Sequence, residues 1–371
     1  MDANYQIADT SGIITPALVV FREFLDDNIR HMIEIAGDAS RLRPHCKTHK
    51  TAEVVRLQAA QGITKQKCAT FAEAEMVAEA GCRDVCLAYN LVGPNIARAV
   101  AFRQKYPDVT LSVTADHEIP IAALGHAMTE AGTTIEVLLD VDTGQHRTGV
   151  TCCERAERLY QLIAETDGLI PGGFHVYDGH QHQQSHEERK AAIDVEWAKV
   201  IELRDKLIAA GLPVPRIVAG GTGSFPVYAT KEDPTIELSP GTCVFNDAGY
   251  SAAFPDLKFP PATGVLTRVI SRPTDNRITL DLGYKAIASD PPAGKRCTFP
   301  ALPDAVAVLQ NEEHLVLETN RAGDFQPGDE LLAIPTHICP TSAMHKQIVV
   351  VSGGKVADHW DIVARDRQLT I

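Results

Sequence analysis

Residues 43–50 gather an unusual set of reactive side chains. The stretch reads Arg-Pro-His-Cys-Lys-Thr-His-Lys, with three basic residues, two imidazoles and a thiol within eight positions. A lysine held among other cations and low-dielectric walls has a lowered pKa and acts as a nucleophilic amine. The pattern therefore predicts a reactive lysine at Lys47. The alternative is a solvated basic loop, which is the commoner fate of a lysine pair.

A glycine-rich turn at residues 220–224 follows the apolar run Arg216-Ile217-Val218. Glycines allow backbone N–H groups to approach an anion closely, and the hydroxyl groups of Thr222 and Ser224 add donors. Late in an α/β barrel such a turn commonly binds phosphate. Taken alone the signal is weak, because most glycine-rich turns are only turns.

Arg147 and Tyr177 each follow an expected strand and carry groups suited to an aromatic cofactor. The guanidinium of Arg147 is a planar, permanently charged donor, although an ion pair with Asp140 or Asp142 is an alternative use. The phenol of Tyr177 can hydrogen-bond a ring nitrogen without placing a full positive charge on it. Three histidines lie within residues 174–182, which is rare by chance.

His337 and Cys339 form a candidate metal pair. On a strand, residues i and i+2 point to the same face, so this spacing predicts a two-ligand pincer. Imidazole plus thiolate favours zinc over magnesium or calcium. Without further context, a buried histidine and cysteine packed in a core would be the default interpretation.

These motifs resemble those of the D-threonine aldolase and D-serine dehydratase family, the metal-activated branch of the alanine racemase-like fold. The resemblance extends over about residues 15–367. It implies a pyridoxal 5'-phosphate (PLP) enzyme in which Lys47 forms the Schiff base, Arg147 lies near the phenolic oxygen of the cofactor and Tyr177 contacts its ring. The cofactor-binding residues that the resemblance implies are Lys47, His45, Arg147, Tyr177, Gly221, Thr222, Gly223, Ser224, and Thr242 or Cys243.

The same resemblance makes His337 and Cys339 the ligands of a divalent metal, zinc or else manganese or magnesium. The substrate would be a D-configured β-hydroxy-α-amino acid, and two reactions remain open. If His182 deprotonates the β-hydroxyl group, retro-aldol cleavage gives glycine and an aldehyde, although His180 competes for this role. If Lys47 removes the Cα proton, dehydration gives a keto acid and ammonia. The cysteine ligand favours dehydration, whereas the His182 match favours cleavage.

Two other function classes fit the sequence less well. A non-catalytic PLP carrier of the single-barrel type would lack residues 255–371 and the metal pair. An amino-acid racemase would need a tyrosine base in its second domain and an arginine at the pyridine nitrogen, and neither motif is found.

The 371 residues alternate strand-like and helical runs as far as about residue 245. This alternation predicts a (β/α)₈ TIM-type barrel at 15–250, like the N-terminal domain of alanine racemase, rather than an open doubly wound sheet, whose nucleotide fingerprint is missing. A helix-poor C-terminal β-domain is expected at 255–371, joined by residues 1–14. The predicted barrel strands are 16–20, 67–69, 84–88, 110–113, 135–140, 172–175, 216–218 and 237–238.

Composition narrows the partners. The net charge of −13 argues against nucleic acid, because no basic stripe is available to neutralise phosphates. No apolar run of transmembrane length and no signal peptide are recognised, so we expect a cytoplasmic protein whose nine scattered cysteines are reduced. A small-molecule D-amino acid substrate and a homodimer are the expected partners.

Overall fold

The structure is a computed structural model and describes residues 4–371. The chain divides into two compact units. The barrel unit comprises residues 33–47, 52–241 and 367–371. The β unit comprises the described residues up to 32 together with 48–51 and 242–366. The chain thus passes between the two units several times. The predicted bounds of 15–250 and 255–371 assume a single passage.

The barrel unit is built on a seven-stranded, wholly parallel sheet in the order β2 to β8. Its elements are α2 (Ala52–Ala60), β2 (Lys65–Cys68), α3 (Phe71–Glu79), β3 (Asp84–Asn90), α4 (Pro94–Lys105), β4 (Thr110–Ala115), α5 (Glu118–Glu130), β5 (Ile135–Val141), α6 (Glu154–Glu165), β6 (Leu169–Val176), α7 (His186–Ala209), β7 (Ile217–Ala219), α8 (Phe225–Ala229) and β8 (Ile236–Leu238). Together with the β unit, this arrangement confirms the predicted barrel and β-domain.

An irregular segment, residues 42–45, takes the place of the first barrel strand. It makes parallel bridges to β8 through Leu42 and to β2 through His45. Arg43 within it is fully buried and pairs with Glu237 on β8 and Asp84 on β3. The ring of strands therefore closes through the segment that directly precedes the turn carrying Lys47.

The barrel helices follow from local sequence signals. In α6, the buried residues Ala156, Leu159, Tyr160 and Ile163 recur at helical spacing and form one apolar face. Thr70 caps α3 by accepting a hydrogen bond from the backbone N–H of Glu73. Helix α6 consequently presents one face for burial, and the start of α3 is fixed by its cap.

Strand β6 contains one extra residue relative to β5. Val137 pairs with Pro171, whereas the next residue, Leu138, pairs with Gly173, so Gly172 is a bulge. Gly173 has a φ of +96°, and a Cβ there would lie 1.9 Å from the Arg216 carbonyl oxygen. Only glycine fits this close approach of two backbones.

The β unit contains a nine-stranded mixed sheet and short helices. Its elements are β1 (Ala17–Phe21), β9 (Thr263–Thr274), β10 (Arg277–Leu280), β11 (Cys297–Thr298), β12 (Val306–Gln310), β13 (Leu315–Glu318), β14 (Glu330–Pro335), β15 (Gln347–Ser352), β16 (Lys355–Asp361), α9 (Ala248–Ala253) and α10 (Ile338–Met344). Helix α1 (Arg22–Ala36) follows β1 and runs from one unit into the other.

The prediction that residues 16–20 form the first barrel strand is wrong. Strand β1 pairs with β9 in antiparallel fashion and with β15 in parallel fashion, so it is central in the sheet of the β unit. Val19 and Phe21 pack in a core cluster with Tyr5, Ile7 and other residues of this unit. The run is a buried strand as predicted, but an apolar run does not indicate which sheet a strand joins.

No helix within residues 4–371 is both long enough and apolar enough to cross a membrane. The nine cysteines are free thiols, five of which are buried. Such thiols pack as small hydrophobic groups.

Candidate functional sites

A cavity of about 480 Å³ opens at the carboxyl ends of the barrel strands. Parallel barrels place their chemistry at this face because the βα loops converge there. Its lining includes His45, Lys47, Lys67, Tyr89, Asn90, Thr114, Asp140, Arg147, His175 and Tyr177. The cavity therefore brings together four of the residues expected to bind the cofactor.

Three cations surround the ring of Tyr177. The Nζ atoms of Lys47 and Lys67 lie 5.9 and 5.8 Å from the ring centroid, and Cζ of Arg147 lies 4.8 Å from it. Cations within about 6 Å of an aromatic face are attracted by its quadrupole. Gly221 also approaches this ring, since a Cβ there would lie 3.0 Å from Tyr177 Cε2.

His45 is part of the turn that carries Lys47. Its Nδ1 accepts a hydrogen bond of 3.2 Å from the backbone N–H of Lys47. The neighbouring Cys46 donates to the buried carboxylate of Glu73, which also accepts a bond of 2.6 Å from the N–H of Ala69. Although these three side chains are close enough to share an ion, their existing bonds explain them as supports of the turn.

The two lysines of the basic stretch have different surroundings. Lys47 lines the cavity of the barrel unit, whereas Lys50 belongs to the β unit and its Nζ donates to the carbonyl of Ala364 at 3.4 Å. Lys50 also has a φ of +53°, which is unusual for a residue with a side chain. Of the pair, Lys47 is thus the amine available to a ligand in the cavity.

His175 and Asp140 form a buried pair at 2.8 Å on neighbouring strands. Burial lowers the pKa of His175. Burial alone would raise the pKa of Asp140, but the contact with His175, the hydrogen bond with Thr148 and the charge of Arg147 together outweigh it and lower that pKa. A neutral imidazole bonded to a carboxylate results, so Asp140 pairs with His175 in place of the direct ion pair with Arg147 that the sequence left open.

Lys67 lines the cavity although the sequence analysis did not identify it as a site residue. It lies on β2, is only 2% exposed and faces Tyr177 together with Lys47. Burial lowers its pKa to about 7, against a weaker opposing effect of Cys86. The run Lys65-Gln66-Lys67-Cys68 reads as a polar, exposed strand, and only the closed barrel shows that its side chains are buried.

The glycine-rich turn is held from below by a buried carboxylate. Asp178 accepts hydrogen bonds from Ser224 Oγ at 2.6 Å and from the Tyr228 hydroxyl at 2.9 Å. Burial raises the pKa of Asp178. Ser224 Oγ in turn accepts from the N–H of Gly221 at 3.0 Å. The hydroxyl proton of Ser224 is therefore directed to Asp178 and away from a phosphate, whereas the Thr222 hydroxyl accepts a hydrogen bond of 3.2 Å from the Gly241 N–H.

His180 and His182 lie in the loop between β6 and α7 and do not line the cavity. His182 is exposed, and His180 is half-buried with its Nε2 3.1 Å from the amide nitrogen of Gln181. The Nδ1 atom of His180 is buried without a partner within residues 4–371. Either imidazole would need movement of this loop to reach a ligand in the cavity.

In the β unit, His337 and Cys339 are close together, but not on a strand. Strand β14 ends at Pro335, His337 is the N-cap of α10 and Cys339 lies in its first turn. A hydrogen bond with Cys339 and a second with Asp290 raise the pKa of His337 to about 9. The strand-based prediction of their geometry is wrong, because the strand ends before Thr336 and the chain turns into a helix.

Polar groups of the β unit surround the metal pair. Cys339 Sγ lies 3.2 Å from Thr48 Oγ1 and 3.7 Å from Thr242 Oγ1. Asp290 Oδ2 lies 2.5 Å from His337 Nδ1, which leaves Nε2 for a metal. Thr242 and Cys243 belong to a buried 3₁₀ turn, and the hydroxyl of Thr242 thus faces the thiol.

Both donor sets fit the groups that the sequence predicts. The cavity offers an amine, a guanidinium and an aromatic face in a volume suited to a pyridine ring with a small amino acid. A histidine oriented by a carboxylate beside a thiol is a donor set typical of zinc.

Comparisons with known proteins match nearly the whole chain. The family model for the alanine racemase N-terminal domain matches residues 22–248, and a serine dehydratase domain matches residues 262–351. A D-threonine aldolase from Arthrobacter sp is 32% identical over 95% of this chain and 92% of its own length. A 3-hydroxy-D-aspartate aldolase from Paracoccus denitrificans (strain Pd 1222) is 31% identical over 97% and 94% of the two chains.

Solved structures give the same picture. The crystal structure of D-threonine aldolase from Filomicrobium marinum has a TM-score of 0.87 at 29% identity and covers 95% of both chains. D-threo-3-hydroxyaspartate dehydratase from Delftia sp. HT23 has a TM-score of 0.83 at 25% identity, over 94% of this chain and 97% of that one.

Proposed function

Because the chain belongs to the D-threonine aldolase and D-serine dehydratase family of alanine racemase-like fold, we propose that it is a PLP- and divalent-metal-dependent lyase. Its substrates are D-configured β-hydroxy-α-amino acids, which it cleaves to glycine and an aldehyde. The observation that carries the proposal is the amine of Lys47 beside Tyr177 and Arg147 in the barrel cavity.

When bound, PLP supplies an electron sink for the bonds at Cα. Lys47 would hold it covalently, and Arg147 and Tyr177, which line the same cavity, would contact it. Because the guanidinium of Arg147 is permanently charged, it would favour an anionic oxygen placed beside it.

The glycine turn, residues 220–224, would hold the phosphate group. Backbone N–H groups around Gly223 and the hydroxyl of Thr222 are the donors, and the turn of Thr242 and Cys243 adds to them. Ser224 contributes by holding the turn, since its proton is bound to Asp178. Asp178 is thus a positioning residue for the turn.

His337 and Cys339 would hold the divalent metal, which acts as a Lewis acid on the β-oxygen of the substrate. Asp290 fixes the imidazole of His337 by its hydrogen bond to Nδ1. A thiolate and an imidazole favour zinc, and manganese or magnesium would suit a harder donor set.

A base must accept the β-hydroxyl proton for cleavage to occur. His182 is our first candidate and His180 the second, each after movement of the loop that carries them. Lys47 lines the cavity, and its amine, where it is free, would be the candidate acceptor of the Cα proton in the alternative reaction, dehydration.

Product analysis separates the two reactions. With D-threonine, D-serine and D-3-hydroxyaspartate as substrates, we expect glycine and an aldehyde. Keto acid and ammonia as the main products would instead support the dehydratase, the alternative favoured by the cysteine ligand and by the serine dehydratase domain match. Neither product pair with any of the three, from protein carrying cofactor and metal, would contradict the proposed function.

The proposal extends to assembly and location. We expect a homodimer, as the family resemblance implies, and a cytoplasmic location, and sedimentation velocity should give twice the mass of the 371-residue chain. A fully active monomer at assay concentration would be incompatible with this expectation.

A further inference from the structure

Lys67 is a buried amine with no polar partner. It is only 2% exposed, and within residues 4–371 no hydrogen bond or ion pair reaches its Nζ, although Asp140 and Asp178 attract its charge from a greater distance. Its Nζ lies 5.8 Å from the centroid of the Tyr177 ring, a cation–π contact. Burying an ammonium group without a counter-charge is costly, and an apolar side chain of similar shape would stabilise the barrel better.

The acidic groups around Lys67 are already bonded to other residues. Asp140 on β5 is paired with His175, and Asp178 is bonded to Ser224 and Tyr228. The remaining charges at the cavity are the cations Lys47 and Arg147. Three cationic side chains thus face one carboxylate, that of Asp140, among the lining residues, and an anionic ligand would balance the remaining positive charge.

We propose that Lys67 is a second anion-binding side chain of this cavity and that its ammonium group binds an anionic oxygen of the bound ligand. The inference rests on the proposed function, which supplies two sources of such an oxygen: a carboxylate of the amino acid substrate and an oxygen of the cofactor. A bound anion stabilises the charged form of a buried lysine and satisfies its donors.

The substrate carboxylate is the expected source. Arg147 and the glycine turn are already the proposed partners of the cofactor oxygens, so Lys67 remains for the amino acid. A substrate with a second carboxylate, a D-3-hydroxy dicarboxylic acid, would then gain an ion pair that D-threonine cannot make. Lys67 would thereby act as a specificity-determining residue.

Binding measurements on Lys67→Met test this, because methionine keeps the length of the side chain and removes the charge. PLP affinity is measured by titration of the visible band on cofactor-free protein. D-aspartate and D-alanine, which lack a β-hydroxyl group, are then titrated into the PLP-loaded protein. Lys67→Arg keeps the charge, and Lys199→Met removes a lysine from the exposed face of α7 as the matched control.

We expect Lys67→Met to weaken the affinity for D-aspartate by about tenfold or more and to leave the affinity for PLP unchanged. The affinity of Lys67→Arg for D-aspartate should fall less. Loss of PLP affinity by a similar factor would assign the anionic oxygen to the cofactor. Affinities for PLP, D-aspartate and D-alanine that all stay at the level of Lys199→Met would overturn the proposal.

A measurement on the unmodified protein covers the case in which Lys67→Met does not fold. With ¹³Cε-labelled lysine, NMR should show one lysine whose pKa rises when D-aspartate is added to the PLP-loaded protein, or already when PLP is added. An unchanged pKa would also overturn the inference. If the unmodified protein binds no PLP at all, the proposed function fails instead, so the two failures are distinguishable.

Discussion

At the scale of single residues, the two lysines of the basic stretch differ in their surroundings. Lys47 lines the cavity, and Lys50 is bonded to a carbonyl of the β unit. Lys47→Ala should abolish the visible absorbance of the PLP-loaded protein, whereas Lys50→Ala should retain it. A covalent link found at Lys50 after borohydride reduction and peptide mapping would contradict this assignment.

The metal pair gives a second prediction at this scale. Chelation should remove activity while leaving the visible PLP band intact, because the pair and the cofactor lysine belong to different units. Added zinc or manganese should restore turnover. Cys339→Asp should stay active and shift the metal preference from zinc toward manganese or magnesium, since carboxylate is the harder ligand. Full activity after exhaustive chelation, with no metal by elemental analysis, would return the pair to the status of packed side chains.

At the scale of elements, closure of the barrel depends on the Arg43 group. Arg43 is completely buried between Glu237 and Asp84, so Arg43→Ala removes the buried counter-charge of both carboxylates and leaves them only the weaker pairs with Lys65 and Arg216. We expect a loss of about 3–5 kcal/mol in the free energy of unfolding, measured by urea denaturation. Lys65, which also pairs with Glu237 but is partly exposed, provides the control: Lys65→Met should cost far less.

The ion pair of Arg43 and Glu237 also predicts how the free energy of unfolding depends on pH in the acid range. Burial opposes ionisation of Glu237, but the charges and hydrogen bonds of Arg43 and Lys65 together outweigh it and lower the pKa to about 2 from 4.5. A lowered carboxyl pKa stabilises the fold above the unfolded value, and this stabilisation is lost as pH falls from 4.5 toward 2. Glu237→Gln should flatten the pH dependence of unfolding in that window. An unchanged acid limb would show that other carboxylates dominate it.

Asp247 links two short helices of the β unit. It caps α9 through the N–H of Tyr250 and also accepts from the N–H of Ile338 at the start of α10. Asp247→Ala removes both bonds and should destabilise the protein by about 2 kcal/mol. It should also weaken zinc binding, measured by competition with a chromogenic chelator. Ala substitution at the exposed Asp256 offers a comparison; equal zinc affinity of the two variants would mean that the cap does not position the pair.

Sequence patterns predicted most elements of this fold, and their failures have identifiable causes. Alternating apolar runs indicated the strands of the barrel, yet β1 joins the other sheet because its partners are distant residues of the C-terminal third. The strand period placed His337 and Cys339 on one face, but the residues after Pro335 form a helix. Lys67 escaped notice because burial of a polar strand is set by barrel closure, which no local pattern contains.

At the scale of the whole molecule, the β unit is assembled from distant parts of the chain. Strand β1 lies between β9 and β15, both from the C-terminal third. A fragment of residues 1–250 would expose β1 without either neighbour, so we expect it to be insoluble or aggregated, as judged by soluble yield and size-exclusion chromatography. A fragment that starts at residue 33 and ends at residue 241 should be the more soluble of the two. A monomeric, cooperatively unfolding 1–250 fragment would refute this view.

Because of the bulge at Gly172, the number of residues in strand β6 determines which of its side chains face the cavity. Side chains alternate between the two faces of a strand, and the extra residue resets this alternation so that His175 points to the cavity while Phe174 packs against Tyr160 of the helix layer. Deletion of Gly172 would shift the strand by one residue, so that Phe174 would face the cavity and His175 the helix layer. Substitutions in β6 other than at Gly173 and His175 therefore keep this alternation, whereas a change in the number of residues reverses the facing of the residues that follow in the strand.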